Sequence, residues 1–331
     1  MRAYRLFGTG LDGLTVQDEP DPVLNAGEVL VRVHATSLNY RDYMLAAYRP
    51  PAALKPGVIP LSDGAGEVVA VGSGVTRFKV GDRVAAIFTQ NWLYGSRRHV
   101  LTGGALGGEC DGMLAELRAL PQDGLVHIPD HLSYAEAACL PCAGVTAWNA
   151  LRHVRADETV LLLGTGGVSI MALQIARAAG ARVIITSSSD EKLARARELG
   201  ARELINYART PDWEREVLAL TGGMGVDHVV EVGGAGTLPR SIEATAADGT
   251  VHLIGILTGG TIDPTRIFQR CVNIHGIYVG SREMFEDYNR FLSAHRIQPI
   301  IDRVYPFPKA PAAYADLKGA GHFGKLVIEL S

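Results

Sequence analysis

The stretch Thr159–Asp190, TVLLLGTGGVSIMALQIARAAGARVIITSSSD, decides how the chain is read. Val160 to Leu163 is a short apolar run, as expected of a strand buried on both faces. Gly164, Gly166 and Gly167 follow as a turn with no side chains to block close approach. From Val168 to Ala179 the apolar residues recur at helical spacing, and Gly180 stands where a helix stops. Arg182 to Thr186 is a second, β-branched strand. The order is strand, glycine turn, helix, strand. Such a unit leaves the first N–H groups of its helix unpaired and ready for an anion.

A dinucleotide fingerprint of this kind wants three glycines, and the third position here is Ser169. Serine is small enough for tight packing of helix on strand. Gly164, Gly166, Gly167 and Val168 are therefore candidate pyrophosphate contacts. The competing reading is a glycine turn in an ordinary α/β domain. A site for NAD wants Asp or Glu at the end of the second strand, facing the ribose hydroxyls. That place holds Ser187, followed by Ser188 and Ser189, and Asp190 lies beyond the strand end. Ser189 or Asp190 is placed to cap the helix that follows. Three hydroxyls with Lys192 suit a 2′-phosphate, so the cofactor expected is NADP(H). The bland alternative is a solvated serine turn with Lys192 on an exposed helix face.

The remaining chain sets the frame. Its 331 residues suggest two domains with ample core. A net charge of −3 shows no nucleic-acid footprint. Met1 to Gly10 has arginines but no apolar stretch of the signal-peptide kind. Thr159 to Ala176 is uncharged for long enough to imitate a membrane span, but its glycines and Ser169 favour the βαβ reading. The four cysteines, Cys110, Cys139, Cys142 and Cys271, form no disulfide framework, so a cytoplasmic protein is the default.

The first third reads as β-rich: Glu28 to Ala35 alternates, Glu67 to Val71 follows, and a Gly81-Asp82 turn divides Phe78 to Ile87. Strands of this length with tight turns suggest a small, partly open barrel. Asn91 to Gly108 is loop-like, and Met113 to Leu120 returns to strand. Ser133 to Arg152 is helical in pattern, with Ser133 and Glu136 spaced as a capping box. After the βαβ unit come strand candidates at Glu203 to Ile205, His228 to Val232, Thr250 to Ile256 and Asn273 to Val279. Helices are expected around Trp213 to Leu220 and Leu238 to Ala247. The whole fits a doubly wound parallel sheet. Helices near Glu283 to His295 and Ala310 to Leu317 and a strand at Lys325 to Glu329 make a tail expected to return to the first domain.

The ordered motifs GEVLVRVHATSLNYRD, PLSDGAGEVVAVGSGVTRFKVGDRV, LPCAGVTAWNAL, the βαβ unit, GVDHVVEVGG and HFGKLVIEL cover essentially the full length. Together they resemble the medium-chain dehydrogenase/reductase superfamily, the zinc-type alcohol dehydrogenase and quinone oxidoreductase relatives. The resemblance implies an α/β protein in which a doubly wound Rossmann domain (128–278) is inserted into a β-rich GroES-like catalytic domain (1–127 plus 279–331). It also implies a small-molecule substrate, a homodimer or homotetramer, and neither nucleic-acid nor membrane partners.

By the same resemblance, zinc-dependent members carry a Cys where this chain has Asn39 and a His-Glu pair where it has Ser62-Asp63. Cys142 alone retains a possible ligand, and one thiolate with one carboxylate does not make a catalytic zinc site. The structural-zinc lobe should hold four cysteines; the loop near Trp92 to Cys110 has one. No metal is expected. Cys139-Leu140-Pro141-Cys142 could be a redox pair, but it lies in an apolar helical stretch and reads better as small buried residues.

Without a metal, hydrogen bonds must polarise a carbonyl. The resemblance points to the Asn-x-x-Asp segment: Asn39, Asp42, Tyr43 and, further on, Tyr48, with Tyr40 and Arg41 between. Asn39 can donate through its amide, and a tyrosine hydroxyl can donate a proton. Each tyrosine could equally be core, and Asp42 could simply hold the loop. Further cofactor contacts are implied at Thr146, Tyr207, Val232, Gly233, Ile254, Gly255 and Lys325, the last set against an exposed strand lysine. The expected chemistry is zinc-independent hydride transfer from NADPH to a quinone or an α,β-unsaturated carbonyl compound. The alternatives are an alcohol dehydrogenase or carbonyl reductase of the same fold, and a weakly catalytic NADPH-binding sensor or structural protein.

Overall fold

The computed structural model describes residues 1–8, 10–48, 55–100 and 103–330. Two compact units emerge, Met1–Val145 with Val279–Ser331, and Thr146–Tyr278. Residues 101–102 of the expected loop lie outside the described residues.

The second unit is one six-stranded sheet, parallel throughout. Its spatial order is Glu203–Asn206, Arg182–Ser187, Thr159–Leu162, Val226–Glu231, Thr245–Leu253 and Asn273–Gly276. The chain runs outward for three strands, returns beside the first, and runs outward the other way. That reversal is the switch point at which such sheets bind ligands. Leu161, Ile184, Val229 and Val251 are fully buried at the sheet centre, with Trp213 and Ile242 packed in the same cluster. The expected strand Thr250 to Ile256 begins earlier and ends at Leu253, because Ile254 and Gly255 both turn their N–H groups to the carbonyl of Glu231.

The first unit is mainly antiparallel. A seven-stranded sheet carries Ile301–Pro306, Lys325–Glu329, Glu28–Ser37, Asp63–Val71, Arg83–Ala86 and Leu125–His127 side by side, and Leu117–Pro121 also pairs with Glu28–Ser37. Arg2–Leu6 and Leu14–Asp18 make a separate hairpin. The carboxy-terminal strand therefore returns to the first unit, as the sequence led one to expect. Its register sets Val327 against Ser37, while Ser37 faces Asp63 on the other side.

The Ser133–Glu136 capping box forms, and its short helix Tyr134–Ala137 packs on the strands of the first unit. The stretch expected as one helix breaks into that turn, a π-helical turn Leu140–Gly144 and the helix Val145–Leu151. Pro141 lacks the N–H that a continuous α-helix would use there. Residues 128–145, expected with the nucleotide-binding part, thus cluster with the first unit. No described helix is long and apolar enough to cross a membrane.

Candidate functional site

In the second unit the strand Thr159–Leu162 ends in Gly164, whose φ of +72° is strained for any residue with a side chain. The helix Gly167–Ala178 then begins at Gly166, with no side-chain cap and open space where a Cβ would stand. The N–H groups of Gly167 and Val168 meet no side-chain cap and present the partial positive charge of the helix end. Ser169, at the third glycine position, is buried and donates its hydroxyl to Leu163 O at 2.7 Å. The serine ties helix to strand end, which a glycine could not do.

At the end of the second strand, Ser187 is buried and its Oγ accepts from Ser189 N–H. Ser188 is exposed. Ser189 caps the helix Asp190–Glu198 by accepting the Lys192 N–H, which settles the choice of cap left open between Ser189 and Asp190. Asp190 instead accepts Asn206 Nδ2 at 2.8 Å and both guanidinium nitrogens of Arg209. Those two partners, Arg209 foremost, hold its carboxyl below the usual range. The exposed Tyr207 donates its N–H to Ser187 O. Arg209, two residues further on and paired with Asp190, is a cation that the sequence reading passed over.

Glu231 was also missed. It is wholly buried, and its carboxylate accepts Gly233 N–H at 2.7 Å, Gly234 N–H at 3.0 Å, and the hydroxyls of Thr237 and Ser241. It holds the turn after its own strand, where Val232 and Gly233 lie. Its backbone oxygen holds Ile254 and Gly255 of the next strand. A Cβ on Gly255 would come within 1.7 Å of Val232 O, so only glycine fits there. An acid set among valines gives little sequence signal; Gly233 and Gly234, one residue further on, are the trace it leaves. Thr146 is buried in the helix Val145–Leu151.

In the first unit three neighbouring strands bring polar groups to one end of the sheet. Lys325 is 3% exposed, which rules out the exposed strand lysine. Its Nζ donates to Leu38 O and to Asn39 Oδ1, each at 2.6 Å, and lies 3.6 Å from Asp63 Oδ2. The strand pairing continues as Leu38 N–H to Leu326 O, which puts Lys325 beside Asn39. Asp63 is fully buried and accepts the Ser37 hydroxyl at 3.1 Å and the Ser62 hydroxyl at 2.8 Å. Leu61, just before, is buried with φ +67°, a strained conformation for a leucine.

The helix Tyr40–Tyr48 starts from Asn39. Asp42 accepts the Asn39 backbone N–H at 2.9 Å and pairs with Arg41 at 3.0 Å. Burial raises the Asp42 carboxyl and Arg41 opposes it. Arg41 in turn donates to Leu106 O and lies over the Phe88 ring. Asp42 thus holds the loop and the helix start. Tyr43 is buried, Tyr48 is 65% exposed, and their rings meet edge-on at 6.1 Å. The neighbouring Tyr48 hydroxyl raises the Tyr43 hydroxyl first, with burial behind it. Asn39's own described hydrogen bonds go to Asp42 and Lys325, not to this pair.

Cys139 is buried with its thiol on Ala135 O at 3.3 Å, and burial pushes it up to about 12. Cys142, expected to be buried, is only partly so, and burial likewise pushes its thiol well up. Neither is poised as a thiolate, in keeping with a packing role. Among the described residues no three His, Cys, Asp or Glu side chains gather as a metal would require. At the positions that the resemblance matches to zinc ligands, the donors left are Cys142 and Asp63, and an ammonium already faces Asp63. These residues do not fit a catalytic zinc.

Residues 25–130 match the alcohol dehydrogenase GroES-like domain family, and residues 167–294 the zinc-binding dehydrogenase family. A zinc-type alcohol dehydrogenase-like protein of Schizosaccharomyces pombe is 44% identical over 334 residues, covering 97% of this chain and 96% of that one. A quinone oxidoreductase of Pseudomonas aeruginosa is 38% identical, covering 73% of this chain and 67% of its own. A solved structure named as an NAD-dependent alcohol dehydrogenase superposes with a TM-score of 0.92 at 35% identity, covering 100% of both chains. The GroES-like and Rossmann parts, the glycine turn and these relatives together assign the chain to the medium-chain dehydrogenase/reductase superfamily of oxidoreductases.

Proposed function

We propose that this oxidoreductase is zinc-independent, takes NADPH and reduces a quinone or an α,β-unsaturated carbonyl compound. The observation that carries the reading is the cluster of Asn39, Lys325, Asp63, Ser37 and Ser62. Its charges neutralise one another, and it offers a neutral amide donor where zinc relatives offer metal ligands.

Gly164, Gly166, Gly167 and Val168 would hold the pyrophosphate. Ser187, Ser188, Ser189, Lys192 and Arg209 would receive a 2′-phosphate, with Tyr207 toward the adenine. Thr146, Val232, Gly233, Ile254 and Gly255 would border the nicotinamide. Bound there, the reduced nicotinamide supplies a hydride. In a conjugated acceptor the electron pair ends on an oxygen remote from the attacked carbon, and that oxygen needs only a hydrogen-bond donor. Asn39 Nδ2 is such a donor, and the Tyr43–Tyr48 pair is a candidate proton source. A saturated alcohol is harder, because no Lewis acid lowers the pKa of its hydroxyl. The same reading carries a cytoplasmic homodimer or homotetramer.

The relatives' names favour a second reading, alcohol oxidation with NAD. One comparison separates the two: NADPH consumption with a panel of quinones and enones, against NAD or NADP reduction with ethanol. We expect the conjugated acceptors to react faster. Faster ethanol oxidation, or no turnover with any acceptor, contradicts the proposal.

A further inference from the structure

Lys325 has three N–H donors and no acceptor. Three oxygens face them: Leu38 O, Asn39 Oδ1 and Asp63 Oδ2. The two ends of an asparagine amide have nearly the same shape, but a donor-only ammonium fixes which end it faces. Asn39 must therefore present Oδ1 to Lys325 and turn Nδ2 away. That Nδ2 is buried and has no hydrogen-bond partner. Leaving a buried donor unpaired is costly, so a group that supplies an acceptor is favoured there.

The helix start is arranged consistently with this. An asparagine preceding a helix ordinarily turns its side-chain oxygen onto an N–H of the first turn. Here the Asp42 N–H is taken by the Asn39 backbone oxygen, and the Asp42 carboxylate takes the Asn39 N–H. The Asn39 side chain is thereby released to Lys325.

We propose that Lys325 is a positioning residue, which locks the Asn39 amide so that Nδ2 is left as the donor to the substrate oxygen that gains charge. This rests on the reductase reading above.

The test is a double-mutant cycle in the full chain, with NADPH and the best acceptor of the panel. Asn39→Ala should lower kcat by roughly 10²-fold, the scale of losing one such donor. Lys325→Met should lower kcat by roughly tenfold or more, with NADPH affinity little changed, and the double variant should be no worse than Asn39→Ala. Lys325→Arg should recover part of the loss. Asn39→Asp should be inactive while keeping its melting temperature, because the carboxylate still pairs with Lys325 but cannot donate. If Lys325→Met alone misfolds, Lys325→Met with Asp63→Asn removes both charges and replaces it in the cycle.

Multiplying effects in the double variant, or a loss confined to NADPH affinity, overturns the proposal. A native protein inert toward every acceptor overturns the functional reading instead. The side-chain amide signal of Asn39, assigned by its loss in Asn39→Ala, then decides. A signal fixed in the native protein and averaged in Lys325→Met supports the lock, and an unchanged signal overturns it.

Discussion

The glycine turn of the second unit and the polar cluster of the first treat charge in opposite ways. At the turn, Gly166 starts a helix without a side-chain cap and leaves open space before it, so positive potential is left unanswered. In the cluster, Lys325 is met by two oxygens and a carboxylate, and Asp63 by two hydroxyls. The first is arranged to receive a charge from outside. The second has settled its charges internally and has only a neutral N–H to give. On the function proposed above, the turn would bind an anion through what its fold leaves unpaired, and the cluster would offer its N–H to a neutral carbonyl through what its fold has already paired.

If the cluster is self-neutralised, removing one member should be severe and removing both mild. Lys325→Met should cost about 3–5 kcal/mol of stability, as expected when a buried pair loses a partner. Adding Asp63→Asn should restore most of it, read from urea unfolding midpoints. Equal stability of the single and double variants would break the contrast.

If the turn is left open for an anion, filling it should spare the fold and harm binding. Gly166→Ala meets nothing within 4 Å, and its φ of −79° suits alanine. We expect an unchanged melting temperature and an NADPH affinity lower by about tenfold, or ~1.4 kcal/mol, measured by nicotinamide fluorescence. At the strand end, Arg209→Ala should cut the preference for NADPH over NADH by about tenfold, the scale of one charged hydrogen bond. Ser187→Asp should push in the same direction by setting a carboxylate against the 2′-phosphate.

A smaller effect tests whether unpaired charge is avoided inside the second sheet as well. His252 is buried between His228, 3.1 Å away, and His275 on the next strand. Burial first, then those two rings, lowers it from 6.5 to about 3. The folded state thus favours neutral His252, while the unfolded chain takes up a proton near pH 6.5. This contribution is complete above pH 6.5 and is lost as pH falls from there toward 3. Between pH 7 and pH 5 the loss should be about 1–2 kcal/mol. It should be absent in His252→Gln, as followed by denaturant unfolding at each pH.

The two regions also differ in how far the sequence reveals them. The glycine turn lies within one run of residues, where period and punctuation carry the signal, and the strands at Arg182 and Lys325 and the helix at Trp213 fall close to where the pattern puts them. The cluster joins Asn39 to a lysine 286 residues away. No local pattern reports which end of an amide that lysine selects. Asn39 and Asp42 were legible as candidates only through the resemblance, and Lys325 was legible only as an implied cofactor contact, not as buried and not as Asn39's partner. Glu231 and Arg209 stayed hidden because their partners are the backbone of a turn and a carboxylate at the start of the helix Asp190–Glu198. Pro141 was visible, but that it would break the helix into a π-turn containing Cys142 depends on packing within the first unit.

The most direct test of the account is metal content measured together with activity. Purified protein should be dialysed against a strong chelator, analysed for zinc, and assayed with NADPH and the best quinone or enone acceptor. The account predicts well below one zinc per chain before dialysis and an unchanged rate after it. Stoichiometric zinc, removed in step with the activity and restoring it on return, would contradict it.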